Sequence, residues 1–276
     1  MTKLPVVSTV HAAYGFVFAQ AADLVKVALF PALVGVAIWT GLDWLQSQGH
    51  SGSLGVISNL VYAWFGFFWH RRVLLGAEAA RMSSLGRNTG DPEQSKWFNR
   101  FILRSLLYGL LIFVLVGVPA AVVTIGFLEN PVGDQWAVIL YILGIGLCIW
   151  YPLSAVFLRF ALMFPAIAVG GDAGWGEAWR TTAGNAWRLA NIGALTLIAY
   201  LPVLGLAFAV LFFLPDLGPV DWVLVNLLSA LVAFPITAVQ VTWLSLAFKA
   251  LAPERYEAAL AQQGSGGADA LGETSD

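Results

Sequence analysis

Lysine and arginine are spread so unevenly along this chain that a membrane topology follows from their positions. The 14 basic residues occupy alternate hydrophilic segments. Residues 46–53, 129–134 and 215–221 hold none of them. The other segments hold Lys3 and Lys26, then Arg71, Arg72, Arg81, Arg87, Lys96, Arg100 and Arg104, then Arg159, Arg180 and Arg188, and last Lys249 and Arg255. Short basic loops are translocated poorly, so basic residues stay on the cytoplasmic side. Both termini are then expected inside, an even number of spans follows, and the outer loops are too short for an external domain.

Composition supports spans rather than a soluble core. The chain is 59% hydrophobic and 11% charged, with mean hydropathy +0.78, where a soluble domain carries about 25% charged residues. A span needs about 20 apolar residues. Six runs qualify: residues 24–45, 54–75, 101–128, a run from 136 past Pro152, 192–214 and 222–248. The expected fold is all-α, a polytopic membrane helix bundle of six transmembrane helices. One integral domain is expected over residues 1–251, with a disordered polar tail over 252–276. The possible hydrophobic stretch near the N-terminus is broken by Ser8, Thr9 and His11, so no cleaved signal peptide is read there.

The inner segments have helical patterns of their own. Asp91, Pro92 and Glu93 read as a helix start. Beyond it Trp97, Phe98, Phe101, Ile102 and Ser105 share a face, with Lys96, Arg100 and Arg104 on another. Trp175, Trp179, Ala183, Ala186 and Ala190 repeat the spacing, as do Val10, Tyr14, Val17, Ala21 and Leu24. Each resembles an amphipathic helix lying in the interface before turning into a span. Tyr14, Trp97 and Trp179 recur at similar intervals, which suggests a threefold repeat of interfacial helix plus helical hairpin. Shared apolar composition alone would also produce such an alignment.

Net charge of −2 and the absence of basic runs exclude a nucleic-acid binder. The single cysteine, Cys148, makes no intrachain disulfide. His11, His50 and His70 have no metal-ligand spacing, Gly144 and Gly146 lie inside a span rather than in a phosphate loop, and no nucleophile motif is present. No catalytic residue, metal site or cofactor is expected.

Two sets of residues remain as candidates. The first is a rim of Arg71, Arg72, Arg100, Arg104, Arg159, Arg180 and Arg188 with Trp175, Trp179 and Trp187. Arginine grips phosphate through paired hydrogen bonds, tryptophan anchors at the interface, and anionic lipid attracts both. The alternative is that these charges only fix topology. The second set, Asn226, Ser229, Thr237 and Gln240, shares a face of the last span and would line a polar path or bond neighbouring helices.

Residues 69–76, with Trp69, His70, Arg71 and Arg72, residues 159–166, with Arg159, Phe160 and Pro165, and residues 176–189, with Glu177, Trp179, Arg180, Asn185 and Trp187, resemble an uncharacterised family of bacterial six-span inner-membrane proteins. That family is distantly similar to the membrane domain attached to some glycerophosphodiester phosphodiesterases. Their catalytic barrel is absent here, so the resemblance implies no active-site residue; it implies the bacterial cytoplasmic membrane. The expected function is a non-enzymatic module that engages membrane lipids, anionic ones above all, or other membrane proteins. A small-solute or lipid transporter is the alternative, and an interfacial lipid enzyme a third reading.

Overall fold

A computed structural model describes residues 2–49, 55–80, 92–117, 151–171, 174–213 and 219–261. Helix is the regular structure of these residues, and they form a polytopic helical bundle. In chain order α1 is Val6–Ala19, α2 Ala21–Ser47, α3 Gly55–Leu75 and α4 Pro92–Ile112, which ends in a π-helical turn, Phe113–Gly117. Then α5 covers Tyr151–Ala168 with one turn residue at Leu162. It is followed by α6, Trp175–Thr181, α7, Ala186–Phe213, and α8, Pro219–Leu251. A last helix, α9, covers residues 253–261.

Among the described residues α2, α4, α5, α7 and α8 are long and apolar enough to cross a membrane. The sixth expected span, α3, is not, because Asn59, His70, Arg71 and Arg72 interrupt its apolar run. It packs against α2, α4, the last turns of α5, and α8. Phe65, Phe67, Phe68 and Trp69 are fully buried in it. Rings interlock around them: Phe65 meets Phe234 of α8 at 5.1 Å, Phe67 meets Phe101 of α4 at 5.4 Å, and Phe101 meets Phe164 of α5 at 5.2 Å. The first two are edge-to-face and the third is tilted; aromatic pairs of this kind add about 0.5–1.5 kcal/mol each beyond burial. The lipid-facing surface is instead supplied by residues such as Leu33, Leu103, Leu206, Phe208 and Leu231, all exposed.

Cross-helix hydrogen bonds order the two ends of the bundle. At one end the Asn226 amide of α8 donates to Asp43 at 2.7 Å and Thr40 at 3.3 Å, and Trp39 Nε1 donates to Ser58 at 2.8 Å. At the other end lie the start of α2, the end of α3, the start of α7 and the end of α8. Here Lys26, Arg71, Arg72, Arg188, Lys249 and Arg255 gather, and we call it the basic end. Both termini of the described chain reach it: Leu4 bonds Asn185 beside α7, and the Tyr256 hydroxyl donates to the Leu74 carbonyl at 2.9 Å.

Three sequence expectations change. The α1 helix is separate, as expected, but it ends at Ala19, so Ala21 and Leu24 of the expected face lie on α2; it packs against α7 and α8, its Tyr14 hydroxyl donates to the Thr196 carbonyl at 2.8 Å, and burial pushes its pKa up. Residues 93–100, however, are the first turns of an unbroken α4 and not a helix set apart from its span. Residues 175–188 break at 182–185, where Gly184 takes φ 73°. The disordered tail cannot begin at 252, because residues 253–261 are helical and held by Tyr256 and by an ion pair of Arg255 with Glu177. The start of the fourth span, the end of the third, Asp91, Arg81, Arg87, Cys148 and residues 262–276 lie outside the described residues.

Candidate functional site

The rim arginines fall into two kinds. Arg71 points inward: Nε donates to the Ala79 carbonyl at 2.9 Å and Nη1 to that of Ala168 at 2.8 Å, with the guanidinium over the Phe67 and Trp97 rings. Arg72 grips the Asp23 carboxylate through Nε at 2.9 Å and Nη2 at 2.7 Å, and Nη2 also reaches Gln20 at 2.5 Å. Its side chain is only 13% exposed. A cation so placed is held by its partners, and removing one would leave an uncompensated charge. These two arginines tie α3 to α2 and α5, and they do not belong to an open binding rim.

Arg159 is differently placed. Its guanidinium lies 3.3 Å from the centre of the Trp179 ring, a strong cation–π arrangement. Nε donates to Thr182 Oγ1 at 3.0 Å and Nη2 to the Trp179 carbonyl at 2.6 Å. The Thr182 hydroxyl is itself fixed, donating to the Ala178 carbonyl at 2.8 Å. The Nη1 edge of Arg159 has no polar partner among the described residues. The plane of the fork is therefore set by two hydrogen bonds and one ring, while one edge stays available.

Aromatic groups extend from this arginine. Trp179 stacks on Phe160 at 5.3 Å, Phe160 meets Trp175 at 5.2 Å, and Trp175 meets Tyr108 of α4 at 6.2 Å. Trp187, 54% exposed, packs on Tyr151, whose hydroxyl bonds Asn191. Arg180 is exposed, and neither it nor Arg104 has a polar partner among the described residues. Arg188 Nη1 donates to the Leu4 carbonyl at 2.8 Å. Arg159, Trp179 and Thr182 thus form one cluster, with Trp175 joined through Phe160. Arg180 and Arg188 stand on the same α6–α7 segment, and Arg100 and Arg104 on α4.

The polar face expected on the last span divides. Asn226 is committed to Asp43 and Thr40. Thr237 donates to the Ala233 carbonyl within its own helix, and Gln240 accepts from Trp243 Nε1 at 2.7 Å. Ser229 lies in an apolar groove of about 270 Å³ between α7 and α8, with Leu204, Phe208 and Val232. The fully buried polar groups of α8 are instead Thr242, which accepts from Trp69 Nε1 at 2.9 Å, and Ser245, which meets His70 Nδ1 at 2.7 Å. These pairs cross-link α3 and α8 as membrane-bundle polar residues commonly do. A second cavity of about 270 Å³ lies under α9, lined by Ala166, Val169, Phe248, Arg255 and Ala259. Among the described residues there is no cluster of His, Cys, Asp and Glu suited to a metal ion.

Sequence reasoning missed Thr182 and Asp23, which decide how Arg159 and Arg72 are spent. Asp23 carried a usable signal as the one carboxylate at the basic start of the first span. No family model matches this chain, and neither a curated protein nor a solved structure matches it.

Proposed function

We propose that this chain is a multi-pass protein of a bacterial cytoplasmic membrane, with its basic end in the cytoplasm, that holds anionic lipid head groups without transforming them. The observation that carries this reading is Arg159: a guanidinium fixed on Trp179 and Thr182 whose Nη1 has no polar partner among the described residues. Phosphate oxygens accept paired, charge-assisted hydrogen bonds from such an edge. Tryptophans Trp175, Trp179 and Trp187 suit the interfacial depth at which head groups lie, and Arg104, Arg180 and Arg188 add charge that attracts an anionic leaflet. The orientation rests on the charge asymmetry, and the compartment on the resemblance read from residues 69–76, 159–166 and 176–189. The internal pairing of Asn226, Thr237 and Gln240 favours this reading over a transport path through α8.

The test is lipid retention. The double variant R159Q/R180Q, purified in mild detergent and examined by native mass spectrometry, should keep several-fold less phosphatidylglycerol than the wild type while retaining its helical content. Unchanged retention in a folded double variant would refute the site and leave the arginines a topological role only.

A further inference from the structure

Residues 2–4 precede the first helix as a non-helical segment held at the α6–α7 turn. The Leu4 amide N–H donates to Asn185 Oδ1 at 3.0 Å, and Asn185 Nδ2 donates to the Thr2 carbonyl at 3.0 Å. One side-chain amide therefore reads two backbone groups of the segment, the pairing that a neighbouring strand would offer. Arg188 Nη1 takes the Leu4 carbonyl at 2.8 Å, and the Leu4 side chain is 1% exposed. Four independent contacts thus fasten three residues.

The anchor of this strap is also part of the Arg159 cluster. Asn185 closes the turn that Thr182 opens, its backbone N–H donating to the Thr182 carbonyl at 3.0 Å. Asn185 is 2% exposed, so its amide would be left unsatisfied if the strap departed without water replacing it. Thr182 Oγ1 holds Arg159 Nε, and Arg188 stands on the first turn of α7 after Asn185. A continuous hydrogen-bonded path therefore runs from Leu4 through Asn185 and Thr182 to Arg159, with Arg188 as a second branch.

We infer that residues 2–4 are a strap that regulates the head-group site: docked, it holds the 182–185 turn in the form that presents Arg159 and Arg188. This rests on the proposed lipid reading of the same site. Arg188 spends one nitrogen on the strap and keeps the rest of its fork, so strap and head group can be bound together. Each then stabilises the other by the same factor, since coupling between two sites is reciprocal. An agent that lifts the strap would release lipid, and lipid would tighten the strap.

Hydrogen–deuterium exchange reads the strap directly. The protein is placed in nanodiscs of phosphatidylcholine alone, or of phosphatidylcholine with phosphatidylglycerol, and uptake is followed over residues 2–12. Phosphatidylglycerol should slow exchange there several-fold. N185A should abolish that difference and lower phosphatidylglycerol retention several-fold. L4P removes the strap's own donor and its buried side chain without changing a residue of α6, the turn or α7, so it decides the matter if N185A does not fold. A released strap with wild-type lipid retention in either variant would overturn the coupling, as would exchange that ignores phosphatidylglycerol in a wild type that binds it. Unchanged retention in R159Q/R180Q would instead overturn the lipid reading itself, which separates the two failures.

Discussion

The pair between His70 and Ser245 offers the sharpest energetic test of how α3 and α8 are joined. Ser245 Oγ lies 2.9 Å from the Val241 carbonyl of its own helix and 2.7 Å from His70 Nδ1. A hydroxyl has one proton, and the Val241 carbonyl can only accept. With that proton given to Val241, Nδ1 of His70 carries a hydrogen and donates to Ser245. The substitution S245A removes the acceptor and leaves the imidazole N–H unpaired at a site where His70 is 2% exposed and Phe101 packs on the ring at 5.9 Å. A buried donor left unsatisfied costs about 1–3 kcal/mol. In membrane bundles the measured coupling of such pairs averages only about 0.6 kcal/mol and reaches about 1.7, because the unfolded chain in lipid also finds partners. Full burial by protein on both sides places this pair near the upper figure, so S245A should cost about 1.5 kcal/mol, close to tenfold in the unfolding equilibrium. H70F should leave Ser245 bonded to Val241, and H70F/S245A should then cost little more than H70F alone. Reversible unfolding in mixed micelles, followed by circular dichroism, gives all three values. Additivity of the single changes within about 0.5 kcal/mol, or an S245A variant as stable as the wild type, would show that the imidazole does not depend on Ser245.

Glycine chemistry gives a paired comparison. Gly76 and Gly170 have φ 96° and 92°, but a Cβ at Gly76 meets open space whereas at Gly170 it would stand 2.8 Å from the Trp97 ring. G76A should cost about 1–2 kcal/mol from the left-handed backbone alone, and G170A clearly more; equal losses in the same unfolding assay would mean that the Trp97 ring gives way freely. Alkaline phosphatase, active only after export, should be active when fused at Gly49 and silent at Ala261, and the reverse pattern would invert the proposed orientation. Among single-tryptophan variants, Trp187 should be quenched by shallow lipid-attached quenchers far more than Trp69 or Trp243, which are fully buried; equal quenching would contradict the helix packing.

What the sequence disclosed follows from the range of the forces involved. Apolar runs locate α2 and α8 within a few residues and the end of α7, though not its start at Ala186, because a span must be long and continuous wherever its neighbours lie. The fate of each arginine was not disclosed. Arg72 and Asp23 are far apart in the chain, and only packing of α2 on α3 brings them together. The break at 182–185 was signalled by Gly184 and Asn185, but the helical spacing of Trp175, Trp179, Ala183 and Ala186 ran through it and concealed the turn. For α4 the difference has the opposite sign: a change from amphipathic to uniformly apolar character suggests a change of direction, yet no residue there interrupts the backbone. The last helix was missed although Pro253 and Glu254 supply a first-turn proline and an acid at the positive dipole end. Arg159 and Trp179 are legible as residue types, while Thr182, the edge left over on Arg159 and the link to Leu4 required the fold.

The burial of α3 bears on how the bundle is assembled. Insertion of a helix into the bilayer is decided largely by its own hydrophobicity, and each Arg or Asp near the centre opposes it by about 2.5–3.5 kcal/mol, less toward the ends. The segment Gly55–Leu75 is interrupted by Asn59, His70, Arg71 and Arg72, and its polar groups find their partners on α2, α5 and α8. Of these only α2 has been synthesised when α3 emerges. The Asp23–Arg72 ion pair and the Trp39–Ser58 hydrogen bond join opposite ends of the same two helices, so α2 and α3 can enter as a closed hairpin with the Arg72 charge already matched, while Arg71 gains the Ala168 carbonyl only with α5. Phe101 reaches the His70 ring with α4, but its hydrogen-bond partner Ser245 arrives only with α8, so the histidine waits for the last span before its surroundings are complete.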